Sequence, residues 1–155
     1  MIDAIAIART SGQAAIALLF VTLFAGLHPK TKPKRRTLGL MTFALASIHA
    51  LYAIASPLVE DLSHLVYEPH LRAGATTLAI FVVLAATSFP LLFKVPEWKA
   101  LHRLIYAAML LAFLHVVLSP HASRVEILAV AWALTAVLFS RAVRWTRYLR
   151  NISAS

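Results

Sequence analysis

Two histidines stand inside stretches of the chain that are otherwise apolar. His49 lies in TLGLMTFALASIHALYAIAS and His115 lies in WKALHRLIYAAMLLAFLHVVLS. An ionisable side chain inside a bilayer is costly, so such a residue marks a functional site by default. Neutral imidazole is a common metal ligand and a standard axial ligand of haem iron. The pair therefore indicates a haem held between two membrane helices.

The composition is that of an integral membrane protein. Of the 155 residues, 61% are hydrophobic and 14% are charged, and the mean hydropathy is +0.79. Soluble domains are only about 45–50% apolar. The chain has no cysteine, which excludes disulfides, iron–sulfur ligation, thiolate-bound haem and covalent c-type haem. The sequence predicts an all-α integral membrane protein, with a single domain over residues 1–155 in contact with the lipid bilayer.

Five apolar segments predict a bundle of five membrane helices. A spanning helix needs about 20 mostly apolar residues. The predicted spans cover residues 11–28, 37–57, 73–93, 100–119 and 125–145. The segment MIDAIAIA could extend the first span towards the N-terminus, and Pro90 predicts a kink in the third.

The basic residues are divided very unequally between the two faces of this bundle. The net charge of +9 raises the question of nucleic-acid binding, but the cations gather beside the ends of apolar segments on one side. Cytoplasmic loops of membrane proteins carry an excess of Lys and Arg. We therefore expect no nucleic acid, a cytoplasmic C-terminus and an external N-terminus, in a multi-pass protein of the bacterial inner (plasma) membrane. The cytoplasmic set is Lys30, Lys32, Lys34, Arg35, Arg36, Lys94, Lys99, Arg103, Arg141, Arg144, Arg147 and Arg150.

The two intramembrane histidines are expected at similar depth. On the predicted topology their spans are parallel, and each histidine lies about 18–22 Å from the cytoplasmic start of its span at about 1.5 Å per residue. Small residues that share their helix faces would leave room for a flat macrocycle. The alternative is that small residues let helices approach closely while each histidine bonds a neighbouring hydroxyl or carbonyl. The small residues are Thr42, Ala46, Ala53, Ser56, Ala108, Ala112 and Ser119.

His102 is more ambiguous, because it precedes His115 by 13 residues. On an ideal helix that spacing places the two side chains roughly 140° apart at about 100° per residue. A haem ligand and an interfacial histidine remain equal alternatives on the residues alone. His28 is expected at the interface, and the external His64, His70 and His121 are not expected to bind a ligand.

Two motifs give the chain a family resemblance. WKALHRLIY at 98–106, followed by His115, and RRTLGL at 35–40, followed by His49, resemble the ferric-reductase-like transmembrane domain over about residues 10–145. The similarity is greatest to the haem-binding membrane subunits of periplasmic methionine sulfoxide reductase systems. It implies a b-type haem with bis-histidine iron ligation by His49 and His115, and a role for His102 at a second haem.

The chain also departs from the pattern of this family in several respects. Members of this type usually have six spans, of which this chain is expected to lack the first. Arg35 stands where more distant relatives carry a further histidine ligand. No segment is long enough to fold a flavin or nicotinamide domain. The electron donor is therefore expected to be a separate cytoplasmic flavin reductase or quinol, and the acceptor a periplasmic redox protein. Arg36 and Arg103 are expected either to hold haem propionates or only to anchor the topology.

Three hypotheses about function remain. The favoured one is a membrane cytochrome, an electron-transfer subunit of an oxidoreductase rather than a complete enzyme; the residues leave flavin and quinone binding open. The second is a non-redox membrane scaffold or assembly subunit with the same fold. The third, a small proton-moving transporter, is disfavoured because no predicted span has an acidic residue at its centre.

Overall fold

The computed structural model describes residues 3–27, 30–55, 63–88 and 101–153, and throughout these ranges the regular structure is helical. A 3₁₀ turn at Lys32–Lys34 leads into the second helix. The helices are α1 (Ala4–Ala25), α2 (Arg35–Ile54), α3 (His64–Tyr67), α4 (Pro69–Ala86), α5 (Leu104–Leu118) and α6 (Arg124–Ser153).

The all-α prediction is confirmed over the described residues. Four helices there are long and apolar enough to cross a membrane, namely α1, α2, α4 and the Arg124–Thr146 part of α6. The predicted span 100–119 coincides with α5, which is apolar but only 15 residues long. The orientation of the termini stays a prediction.

The helix ends differ from the predicted bounds for local reasons. α1 begins at Ala4 and so includes most of the segment that could extend the first span, because the Asp3 carboxylate accepts hydrogen bonds from the Ile5 and Ala6 amides at 3.0 and 3.3 Å. Such a cap satisfies amides that have no partner in the first turn. Pro69 is the first residue of α4, where its missing N–H costs nothing. α4 ends at Ala86, and the predicted kink at Pro90 lies outside the described residues.

Hydroxyl groups within the helices bond to their own backbone. Each donates to the carbonyl four residues earlier, at 2.6–2.9 Å. A polar group without a partner in hydrocarbon costs several kcal/mol, so this bonding lets a membrane helix carry serine and threonine. The residues are Thr10, Ser11, Thr22, Thr42, Ser47, Thr76, Thr77, Thr87, Ser88, Thr135 and Ser140.

The helices pack as two pairs, α1 with α2 and α4 with α5, and α6 lies against α5 and α1. Gly39 and Thr22 bring α1 and α2 close, and the hydroxyls of Thr22 and Thr42 are 3.5 Å apart. The core of the bundle includes Leu19 of α1, Met109 of α5 and Val137 of α6, each at most 1% exposed. The pairs contact each other much less extensively than the helices within each pair.

Large apolar side chains cover the outside of the bundle. Leu51, Trp132 and Phe139 are 65%, 75% and 69% exposed. Exposed apolar surface on this scale is unfavourable in water and matches a lipid environment.

Glu126 joins the start of α6 to α1. Its carboxylate accepts the Ser123 amide at 2.6 Å, while the Ser123 hydroxyl accepts the Glu126 amide at 3.2 Å, which is a capping box. The other carboxylate oxygen accepts hydrogen bonds from the side chains of Gln13 and Arg9 on α1.

We expect Glu126→Ala to destabilise the bundle by about 1 kcal/mol, because the helix cap and the bond to Gln13 are lost together. Arg9→Ala is the matched control, since an exposed ion pair contributes little. Thermal unfolding in detergent measures both. Equal unfolding temperatures for wild type and Glu126→Ala would show that this junction does not stabilise the fold.

Candidate functional site

His49 and His115 face each other inside the bundle. His49 lies on α2 and His115 on α5, so each helix pair contributes one imidazole. The ring centroids are 6.0 Å apart and the ring planes make an angle of 73°. Two side chains 66 positions apart in the sequence thus form one site.

Each imidazole is oriented by a backbone carbonyl of the neighbouring helix. His49 Nδ1 lies 2.7 Å from the Ala8 carbonyl oxygen, and His115 Nδ1 lies 2.7 Å from the His70 carbonyl oxygen. A carbonyl only accepts, so each Nδ1 must carry the proton and donate it. In the neutral ring Nε2 then has a free lone pair, which is the form that ligates a metal.

A glycine makes each of these hydrogen bonds sterically accessible. A Cβ on Gly12 would lie 2.7 Å from His49 Nδ1, and a Cβ on Gly74 would lie 2.9 Å from His115 Nδ1. Any side chain at either position would push the ring away. The helix carbonyls of Ala8 and His70, each four residues before its glycine, therefore reach an imidazole only because these positions lack a side chain.

The two helix pairs repeat this arrangement in the same register. In both pairs the first helix supplies the glycine and the carbonyl, and the second helix supplies the histidine. Other buried positions also correspond between α1 and α4. In this register α1 and α4 share few identical residues, which are the two glycines, Ala17 and Ala79, and Val21 and Val83. The corresponding buried residues are Ser11 and Ala73, Ala15 and Thr77, Leu19 and Phe81, and Thr22 and Leu84.

The separation of the two rings suits a single metal centre. An imidazole nitrogen bonds a transition metal at about 2 Å and lies about 1 Å from its ring centre, so two rings on opposite sides of one ion have centroids about 6 Å apart. Within residues 3–27, 30–55, 63–88 and 101–153, no three His, Cys, Asp or Glu side chains form a bare metal site. Two protein ligands suffice where a macrocycle provides the others.

A cavity of about 370 Å³ lies further along the bundle, towards Arg35 at the start of α2. A layer of buried residues separates this cavity from the histidine pair. Each residue of the layer lies seven positions, or about 10 Å of helix, from a residue of the histidine site on the same helix. The layer consists of Leu19 (from Gly12), Thr42 (from His49), Phe81 (from Gly74) and Ala108 (from His115). His102 and Arg36 line this cavity, and Phe43, Leu84 and Ile105 are among its apolar residues.

The remaining predicted site residues are dispersed. His102 and Arg103 lie in the turn before α5, so the ideal-helix angle between His102 and His115 does not apply. Arg103 is exposed and is not among the residues that line the cavity. His28 lies outside the described residues.

His70 is a neighbour of the site that the sequence did not indicate. It is the second residue of α4 rather than part of a loop, and its ring stacks on His115 with centroids 6.1 Å apart and planes at 26°. Glu68 Oε2 lies 3.6 Å from His70 Nδ1. The glycines were missed as well; their only signal was scarcity, since two of the four glycines in the chain contact the two histidines.

The fold and the site define a class: a multi-pass helical membrane protein with an intramembrane histidine pair. The chain belongs to the ferric reductase like transmembrane component family, whose sequence model matches residues 11–113. It is 28% identical, over 155 aligned residues, to the protein-methionine-sulfoxide reductase haem-binding subunit MsrQ of Salmonella enteritidis PT4 (strain P125109). The alignment covers 88% of this chain and 77% of that relative. No solved structure matches the chain.

The family and the membrane-length helices together make this a multi-pass protein of the bacterial inner membrane. Both intramembrane histidines lie on helices that carry the resemblance noted in the sequence. His115 lies just beyond the stretch matched by the family and His49 lies inside it.

We expect both histidines to adopt the Nδ1–H tautomer in protein prepared without cofactor, because each Nδ1 faces a carbonyl oxygen. Nitrogen NMR of histidine-labelled protein distinguishes the two ring nitrogens. The exposed His121 is the control, for which we expect the Nε2–H tautomer typical of free imidazole. An unprotonated Nδ1 on His49 or His115 would contradict the proposed hydrogen bonds.

Proposed function

We propose that this protein is a membrane cytochrome that binds one haem b and passes electrons across the membrane. The observation that carries the proposal is the pair of imidazoles, His49 and His115, held 6.0 Å apart with both Nε2 atoms free to ligate iron. The relative named above is a haem-binding subunit, which agrees with this assignment.

The surroundings of the pair suit a haem. His49 and His115 would be its axial ligands, and the carbonyls of Ala8 and His70 would fix their rings and raise their basicity. The space between the helix pairs, which contact each other only loosely, would accept the macrocycle. When bound, haem supplies a one-electron redox centre, and the protein sets its position and potential.

The proposed direction follows the predicted topology. Electrons would arrive from a cytoplasmic flavin reductase or from quinol at the basic end of the bundle. They would then pass to a periplasmic acceptor that binds near the start of α4, where Glu68 and His70 lie. The name of the relative makes a methionine sulfoxide reductase the first acceptor to test. The family fold alone does not determine the acceptor.

A second haem at His102 would have a single protein ligand. Among the described residues that line the cavity, His102 is the one histidine, and it lies there together with Arg35 and Arg36. We therefore propose one bis-histidine haem per chain, with Arg36 facing the cavity and with no ligand role for Arg103.

The test is the absorbance spectrum of detergent-purified protein, oxidised and dithionite-reduced, with haem measured per chain. We expect a low-spin b-type spectrum and one haem in wild type. His49→Ala and His115→Ala should each lose this spectrum, because a six-coordinate iron needs both rings.

His102→Ala and His121→Ala are the matched controls and should keep the wild-type spectrum. Colourless protein after expression with added haem would contradict the proposal and favour the non-redox scaffold. A second haem that disappears in His102→Ala would contradict the stoichiometry alone.

The glycines provide a second prediction. Gly12→Ala and Gly74→Ala should each weaken haem binding by about 10–100-fold, because the added methyl displaces the ring and its hydrogen bond. Gly39→Ala is the control, since its Cβ would meet only Thr22 Cγ2 at an ordinary 3.9 Å. Haem titration of the apoprotein measures all three variants. Equal affinity in Gly12→Ala and wild type would show that the ring tolerates a side chain there.

A further inference from the structure

Arg141 on α6 has hydrogen-bond donors that are buried without acceptors. Its guanidinium lies over the ring of Tyr106 on α5, with Cζ 5.3 Å from the ring centroid. Within the described part of the chain, its Nε and Nη2 are inaccessible to solvent and have no hydrogen-bond partner. These two nitrogens lie on the same edge of the guanidinium, which is the edge that binds two oxygens of one carboxylate or phosphate.

A second arginine interacts electrostatically with Arg141. Arg35, the first residue of α2, is half-buried and packs against Gly26 at the end of α1. It is near enough to Arg141 and Tyr106 to interact electrostatically with both. These two cations on different helices therefore repel each other in a partly dehydrated place. A bound anion would replace that repulsion by attraction to both.

The carboxylates of the described residues are at the other end of the bundle. Asp3, Glu68 and Glu126 each lie at the start of their helices, near the end where Arg9 contacts Glu126. An unpaired buried charge is strongly unfavourable, so the arrangement favours an anion that is not one of these described carboxylates.

We propose that Arg141 and Arg35 bind the phosphate of an anionic membrane lipid. Arg141 lies five residues inside the end of the span at Thr146, where lipid headgroups meet the protein. One turn to either side on the same face of α6, Leu138 and Trp145 are 48% and 62% exposed and can contact acyl chains. Basic pockets between membrane helices on the cytoplasmic side bind acidic lipid headgroups in this way.

The site is separate from the histidine pair, so the proposal holds whether or not haem is bound. Because the donor edge is closed to solvent in the lipid-free protein, neighbouring side chains must move to admit a phosphate, and lipid bound there should exchange slowly and survive detergent purification.

Native mass spectrometry of detergent-purified protein, titrated with phosphatidylglycerol and separately with phosphatidylcholine, tests the proposal. Wild type should bind one phosphatidylglycerol in preference to phosphatidylcholine. Arg141→Gln should weaken this binding at least about tenfold, because a charge-assisted pair of hydrogen bonds is lost. Arg141→Lys keeps the charge but loses the two-nitrogen edge, and should fall between the two.

Arg144→Gln is the matched control, since Arg144 is exposed on the same helix, and it should bind like wild type. Arg141→Lys keeps the test decisive if Arg141→Gln does not fold. Equal binding by Arg141→Gln and wild type, or equal binding of the two lipids, would overturn the proposal. Displacement of the lipid by inorganic phosphate at equal concentration would also overturn it, because the site would then bind free phosphate. Tight phosphatidylglycerol binding that appears only in Glu97→Gln would overturn it too, because the chain's own carboxylate would then occupy the site.

Discussion

The structure depends on a hydrogen bond between each intramembrane imidazole and a helix carbonyl of the neighbouring helix. A helix carbonyl already accepts a hydrogen bond from the amide four residues later, but it has a second lone pair. A glycine at that later position leaves the second lone pair accessible. The bond fixes the tautomer, the ring orientation and the distance between the helices of each pair. It also removes the cost of an unpaired Nδ1–H in the membrane. The proposed site depends on making this arrangement twice.

The rest of the bundle is consistent with that constraint. Hydroxyl groups bond back to their own helices, and so the space between the pairs contains few other polar groups that could compete for the imidazoles. A tightly packed layer around Leu19 and Met109 separates the histidine pair from the cavity beside Arg35. Apolar side chains such as Trp132 and Phe139 face outward, where lipid replaces water. The helix pairs themselves contact each other loosely, which is how a bundle that encloses a flat group is expected to pack.

Much of this could be predicted from the sequence, and the limits have physical causes. Hydropathy identifies the helices because a bilayer requires about 20 apolar residues, and the absence of other ionisable groups near mid-span makes His49 and His115 conspicuous. The exact start of α1 could not be predicted, because an apolar run does not show where a cap lies, and Asp3 provides one. Gly12 and Gly74 could not be identified, since a glycine contact is a matter of which helices pair, and nothing local distinguishes them from Gly39. His102 could not be placed because its position depends on a turn rather than on helix periodicity.

The central claim is that His49 and His115 ligate one iron with their ring planes far from parallel. Electron paramagnetic resonance of the oxidised protein at low temperature tests it most directly, because the splitting of a low-spin ferric signal depends on the angle between two axial imidazoles. With planes near the observed 73°, the account predicts a low-spin signal of the large-gmax type, absent from both His49→Ala and His115→Ala. A high-spin signal in wild type, or a low-spin signal that persists in either variant, would contradict it.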